Sequence, residues 1–182
     1  MKSIIFVTGN WRKVTEAKLA CEPLGIEVLQ EEYDIHEIQN DNPLEISEHK
    51  ARSAFEIVNK PLVVTDTFWN IPALNGFPGA YMKEVGGKWF TPQDFIVLMS
   101  DKEDKRIAFS ENIVYIDHNQ VKHFSKEFWG KIVPPRGTGL PIEQVAEFDG
   151  ATIGEKREQG GVSHDPQDYI WIDFAKWFSN IL

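Results

Sequence analysis

The chain has 182 residues, 42% hydrophobic and 26% charged, with 13 glycines and 10 prolines; this is ordinary usage for a single globular domain and excludes a disordered or fibrous protein. Acidic side chains outnumber basic ones 28 to 19, a formal net charge of −9, which excludes a nucleic-acid polymer held through counterion release. A small anion is not excluded, because a few lysines in one cleft, or a divalent metal between carboxylates, reverse the local field.

Residues 3 to 8, Ser-Ile-Ile-Phe-Val-Thr, are a continuous apolar run that predicts a strand buried on both faces. Gly9 and Asn10 break it, and Asn10 is a good N-cap for a helix carrying Val14, Ala17 and Cys21. Gly25 closes that helix, and a second strand runs through Ile26, Val28 and Leu29. A polar stretch from Glu31 to Asn42 leads to another helix, with Asn42 as cap, Pro43 at the first position and Glu45 three after the cap. Leu44, Ser47, Ala51, Phe55 and Val58 are expected to face its core. Leu62 to Asp66 predicts a buried strand ending in a carboxylate, and Thr67 to Gly87 an ordered loop with a short helix.

Thr91, Pro92 and Asp94 start a further helix, and the charged tract from Asp101 to Arg106 ends it. Residues 107–116 and 121–133 read as two strands joined by Asp117-His118-Asn119-Gln120, an antiparallel hairpin. The last helix is expected from Asp165 as cap, Pro166 and Asp168, with Tyr169, Ile172, Phe174, Trp177 and Phe178 along it. The order of elements predicts one α/β domain over residues 1–182, a mixed sheet flanked by helices, with the hairpin forming a second lobe. The lone Cys21 forms no intramolecular disulfide, and no apolar run reaches the roughly 18 residues of a membrane span. A cytoplasmic protein without membrane attachment is expected.

Four clusters carry chemistry. Thr8-Gly9-Asn10, with Lys13 and Glu16 on the following helix, has the makings of a phosphate cradle at a helix N-terminus, or of a plain strand-to-helix turn. Glu37 and Asp66 suit Mg²⁺, which takes one or two protein oxygens plus phosphates and waters; otherwise they are a solvated loop charge and a strand terminator. Leu74 to Tyr81, followed by Lys83, brackets a proline with two glycines, as a structural turn or a close approach to a ligand. Ser163-His164 precedes the last helix. Cys/His metal spacing and Gly-x-Ser-x-Gly are both absent from the sequence, which argues against zinc and serine-hydrolase chemistry.

Together these segments resemble the inosine triphosphate pyrophosphatase family, whose members hydrolyse non-standard purine nucleoside triphosphates such as ITP and XTP to the monophosphate and pyrophosphate. The resemblance spans almost the whole chain. It rests on Thr8-Gly9-Asn10 with Lys13 and Glu16, Glu45-Ile46-Ser47 leading to Lys50, Val63 to Thr67, Leu74 to Tyr81, Val133 to Gly137, and Val162-Ser163-His164. It implies an elongated mixed α/β fold with a cleft between two lobes, a homodimer, and Mg²⁺ as cofactor. Carried over by position, Thr8, Gly9, Asn10 and Lys13 hold the triphosphate, and Glu37 and Asp66 hold the metal. Asp66 orients or deprotonates the attacking water, and Lys13 acts beside it. Lys50, Thr67, Lys83, Glu143, Ser163 and His164 contact substrate.

The departures fall in base recognition. The family's Phe-Gly-Trp/Tyr-Asp-Pro is here Leu140-Pro141-Ile142-Glu143-Gln144, its Ser-His-Arg is Ser163-His164-Asp165, and a family lysine is Gln159, with Lys156 and Arg157 close by. Thr65 stands where the family often has a second acid before Asp66. The phosphate end is spared, so the expected reaction is Mg²⁺-dependent pyrophosphate release with altered or relaxed base preference. Two alternatives are a nucleotide-binding pseudo-enzyme and a septum-inhibitor-like nucleotide pyrophosphatase.

Overall fold

The computed structural model describes residues 2–160 and 169–181. Within them the chain divides into two compact units, one of residues 2–66, 111–126 and 169–181, the other of residues 67–110 and 127–160.

In the first unit β1 (Lys2–Val7) forms where the apolar run predicts it, because both its faces find a core: Ile4 and Phe6 enter one cluster, Ile5 and Val7 another. β2 (Ile26–Glu31) and β3 (Leu62–Asn70) flank it, both parallel. α1 (Trp11–Cys21) is capped by Asn10, whose side-chain oxygen accepts from the Arg12 N–H at 3.0 Å. It ends at Cys21, and a 3₁₀ turn, Glu22–Leu24, carries the chain to Gly25 in the left-handed region at φ 72°. Cys21 is fully buried, and burial pushes its thiol up to about 12.

α2 (Pro43–Val58) begins as expected, the Asn42 side chain accepting from the Leu44 N–H at 3.1 Å. Its buried stripe differs from the expected one. Ile46, Ser47, Ala51 and Ala54 are buried, Leu44 is 44% exposed, and Phe55 and Val58 pack only at the margin. Three of the four inward residues are small, which lets the helix lie close to the sheet and leaves the larger side chains beside the contact. α7 (Ile170–Ser179) has Tyr169 as its cap; the expected start at Asp165, Pro166 and Asp168 lies outside the described residues. Tyr169, Phe174 and Phe178 are buried with α1 on one face of the sheet, while α2 covers the other. Each such fully buried large side chain contributes roughly 1.5–3 kcal/mol.

In the second unit, the stretch after Asp66 differs most from expectation. β3 does not stop there but runs on to Asn70, because Phe68 and Trp69 are buried. A 3₁₀ turn (Pro72–Leu74), β4 (Pro78–Gly79) antiparallel to β3, α3 (Met82–Glu84) and a wide helical turn (Val85–Trp89) follow. Aromatic packing fixes this segment rather than leaving it a loop: Trp69 lies 5.3 Å from Phe109 and Phe77 5.6 Å from Phe90, centroid to centroid. α4 (Pro92–Leu98) starts as predicted, with the Asp94 carboxylate accepting from the Thr91 N–H at 2.6 Å.

β5 (Arg106–Ile116) and β6 (Val121–Ile132) each have residues in both units and are neighbours in the sheet. Their short connection is compatible only with an antiparallel hairpin, and Asp117 organises it by accepting from the N–H groups of Asn119 and Gln120. The remaining elements were not individually legible: α5 (Pro141–Val145), β7 (Ala146–Phe148), β8 (Ala151–Thr152) and α6 (Ile153–Glu158). Among the described residues the strands form one eight-stranded mixed sheet, in the order β2-β1-β3-β5-β6-β7-β8 with β4 on β3. No helix among the described residues is long and apolar enough to cross a membrane.

Candidate active site

β1 ends at Val7, and the next residues make the expected tight turn. The Thr8 hydroxyl accepts from the Asn10 N–H at 3.1 Å, and the Thr8 N–H donates to the Glu31 carbonyl at 2.9 Å. Gly9 is exposed, and a Cβ built there falls 2.5 Å from Glu32 Oε1, so a carboxylate rests against it. The turn delivers the chain to the N-terminus of α1, which carries a partial positive charge, and Lys13 is on the first turn of that helix.

Asp66 was expected at the end of its strand; it lies in the middle of β3. What ends is the neighbour. The pairing Phe6↔Val63 sets the register, and β1 stops one residue later, so Thr65 and Asp66 extend past its last residue. Leu62 and Val64 face the α2 side of the sheet, and the two-residue period puts Asp66 on that side too. There it meets Lys50, whose ammonium is 3.9 Å from Asp66 Oδ2 and 2.7 Å from Glu37 Oε1. Lys50 reaches this point because it stands on the inward stripe of α2 between Ser47 and Ala54, its side chain 18% exposed.

Lys13, half-buried on α1, faces the same charges. Burial lowers the pKa of its ammonium, Asp66 works against that, Lys50 adds to it, and Glu111 and Glu16 raise it again. Thr8, Gly9, Asn10, Lys13, Glu37, Lys50 and Asp66 therefore belong to one unit, with Lys13, Lys50, Glu37 and Asp66 linked by charge. Glu111 on β5 is a member that sequence reasoning missed; its signal is Ser110-Glu111-Asn112, a polar break inside an otherwise apolar strand.

Two carboxylates converging on one cation are an oxygen donor set suited to a hard divalent ion. One residue before Asp66, the hydroxyl of Thr65 is buried with no hydrogen-bond partner among the described residues. No cluster of three or more His, Cys, Asp or Glu able to cage a metal occurs among the described residues. An ion here would complete its shell from phosphate and water, as Mg²⁺ commonly does.

The other expected contacts lie elsewhere in the chain. Thr67 follows Asp66 on β3 and is half-buried, and Lys83 is exposed on α3. Glu143 is buried on α5, where its carboxylate accepts from Arg157 Nε at 2.8 Å, from Arg157 Nη2, and from the Leu140 N–H at 2.9 Å. Ser163 and His164 fall outside the described residues.

Residues 4–166 match the model of the Ham1 family. The chain is 34% identical to a dITP/XTP pyrophosphatase of Methanosarcina acetivorans, over 99% of each chain. It is 35% identical to an inosine triphosphate pyrophosphatase of Fusarium vanettenii, over 87% of this chain and 88% of that one. Its fold matches the structure of a HAM1 protein from Coxiella burnetii with a TM-score of 0.82 at 20% identity, over the full length of both. With nearly the whole chain matched by the family model and by relatives above 30% identity, the chain belongs to the Ham1 family.

Proposed function

We propose that this chain hydrolyses non-canonical nucleoside triphosphates of the ITP and XTP kind to the monophosphate and pyrophosphate, with a divalent cation, Mg²⁺, as cofactor. The observation that carries the reading is the meeting of Lys13, Lys50, Glu37 and Asp66 beside the Thr8-Gly9-Asn10 turn. The names of the relatives support the substrate class.

Glu37 and Asp66 would hold the cation, which supplies neutralising charge to the triphosphate. The turn and the α1 N-terminus bind phosphate oxygens, and Lys13 and Lys50 add positive charge where the transition state develops negative charge. Asp66 orients a water and accepts its proton as the water oxygen bonds to phosphorus and the anhydride bond between the α and β phosphates breaks. Lys13, on the first turn of α1, would meet the negative charge that develops on the leaving pyrophosphate. Thr67, Lys83, Glu143, Ser163 and His164 are the further substrate contacts implied by resemblance, and a homodimer is the expected assembly.

The test is pyrophosphate release by the purified protein with Mg²⁺ across ITP, XTP, dUTP and the common nucleoside triphosphates. Release from at least one of them is expected. No release from any substrate removes the proposal, and calorimetric binding without release would identify a pseudo-enzyme.

A further inference from the structure

The lysine between the two carboxylates stands where a cation is wanted. The Lys50 ammonium is in hydrogen-bonding contact with Glu37 Oε1 at 2.7 Å and pairs more loosely with Asp66 Oδ2 at 3.9 Å. Glu37 comes from the irregular stretch between β2 and α2, Lys50 from α2 and Asp66 from β3. Three separate segments thus meet through one ammonium. Asp66 and Lys50 are only 22% and 18% exposed, so the carboxylates and ammonium interact more strongly than in open water. Glu37 is 43% exposed, so the closer of the two contacts is at the open edge and is readily exchanged. A lysine suits such an exchange, being a compact charge on a flexible stem.

We infer that Lys50 is a tethered counter-ion that holds Glu37 and Asp66 together in the free protein and must leave them before a divalent cation can bind there. This rests on the function proposed above, since the triphosphate is what gives the departing ammonium a new partner. Lys50 then couples the two ligands. A divalent cation alone must displace the ammonium into solvent, whereas with a triphosphate present the ammonium moves onto a phosphate oxygen. Each ligand tightens the other by the same factor, as linkage requires. Lys50 acts on the cation through the carboxylates it releases, and in that respect it is a positioning residue.

The experiment is titration calorimetry of Mg²⁺, and of Mn²⁺ as a second probe, into the wild-type protein, Lys50→Met and Lys50→Arg, each with and without the non-hydrolysable α,β-methylene analogue of ITP. Lys50→Met should bind the metal alone about fivefold more tightly than the wild type. Its metal affinity should gain less from the analogue than the wild type's does, since phosphate oxygens still complete the ion's shell but no ammonium is left to move onto them. Lys50→Arg, which keeps the charge, should stay near the wild type. Lys50→Gln is the second uncharged variant, and circular dichroism confirms the fold of each. Metal binding by Lys50→Met that is unchanged or weaker overturns the inference, as does a wild-type metal affinity that the analogue leaves unaltered. Metal titration needs no turnover, so tighter binding in Lys50→Met, together with no pyrophosphate release by the wild type from any substrate, would sink the proposed function and leave the counter-ion role standing. Release without tightening would do the reverse.

Discussion

Asp66 is the carboxylate that most offsets the burial of the Lys13 ammonium, although the two residues stand on different elements, one on β3 and one on α1. β1 stops at Val7 whereas β3 runs on to Asn70, so the Asp66 carboxylate stands past the end of the neighbouring strand. Asp66→Asn removes that charge while keeping the shape of the side chain. It should leave the fold intact by circular dichroism and reduce pyrophosphate release by about 10²–10⁴-fold, the usual contribution of a positioned general base. Turnover near the wild-type rate would take Asp66 out of the mechanism.

The Glu143–Arg157 pair should behave as a structural lock of the second unit. Glu143 has only 8% of its side chain exposed, and Arg157 supplies two of the hydrogen bonds to its carboxylate. Arg157→Met leaves a buried charge short of partners and should cost about 3 kcal/mol in urea denaturation. Adding Glu143→Gln to the same protein should recover part of that loss, since the uncompensated charge is gone. A double variant no more stable than the single one would show that packing, not charge, is what Arg157 contributes.

The acid sensitivity of the first unit should depend on Glu48. Its carboxyl lies below the ordinary glutamate value, chiefly because Arg52 donates to it at 2.6 Å, with burial opposing and His123 at 3.0 Å adding to the effect. The folded value is depressed, so this stabilisation is complete above the unfolded glutamate pKa and is lost as the pH falls through the lower folded one. Melting temperatures of the wild type and Glu48→Gln should therefore differ at neutral pH and converge on acidification below the ordinary glutamate range. A gap that stays constant into strong acid would contradict the pairing.

Gly137 is held by its neighbours as well as by its backbone. Its φ is +74°, and a Cβ built there falls 2.2 Å from the backbone nitrogen of Glu155 and the carbonyl carbon of Gly154. Gly137→Ala should destabilise the protein by at least about 2 kcal/mol. A denaturation midpoint within error of the wild type would mean that the loop before α5 and the start of α6 are not packed as closely as described.

The local rules of capping and period decided much of this protein in advance. Asn10, Asn42 and Thr91 start helices where they were expected to, because a cap is satisfied by N–H groups only a few residues away. β1 and the hairpin of β5 and β6 were equally legible from apolar runs and a turn signal. The candidate site residues were found as motifs, but their relations were not. That β3 continues to Asn70 depends on partners for Phe68 and Trp69 that are distant in sequence. So does the inward face of α2, which the sheet selects for small residues over Leu44. The sequence by itself determined the caps, the apolar strands and the presence of carboxylates and lysines of the types that suit a triphosphate and a cation. Only the tertiary structure decided that Lys50 sits on Glu37 and Asp66, and that Glu143 is bound by Arg157, because charge pairing between remote segments follows from how the helices dock on the sheet and not from any local preference.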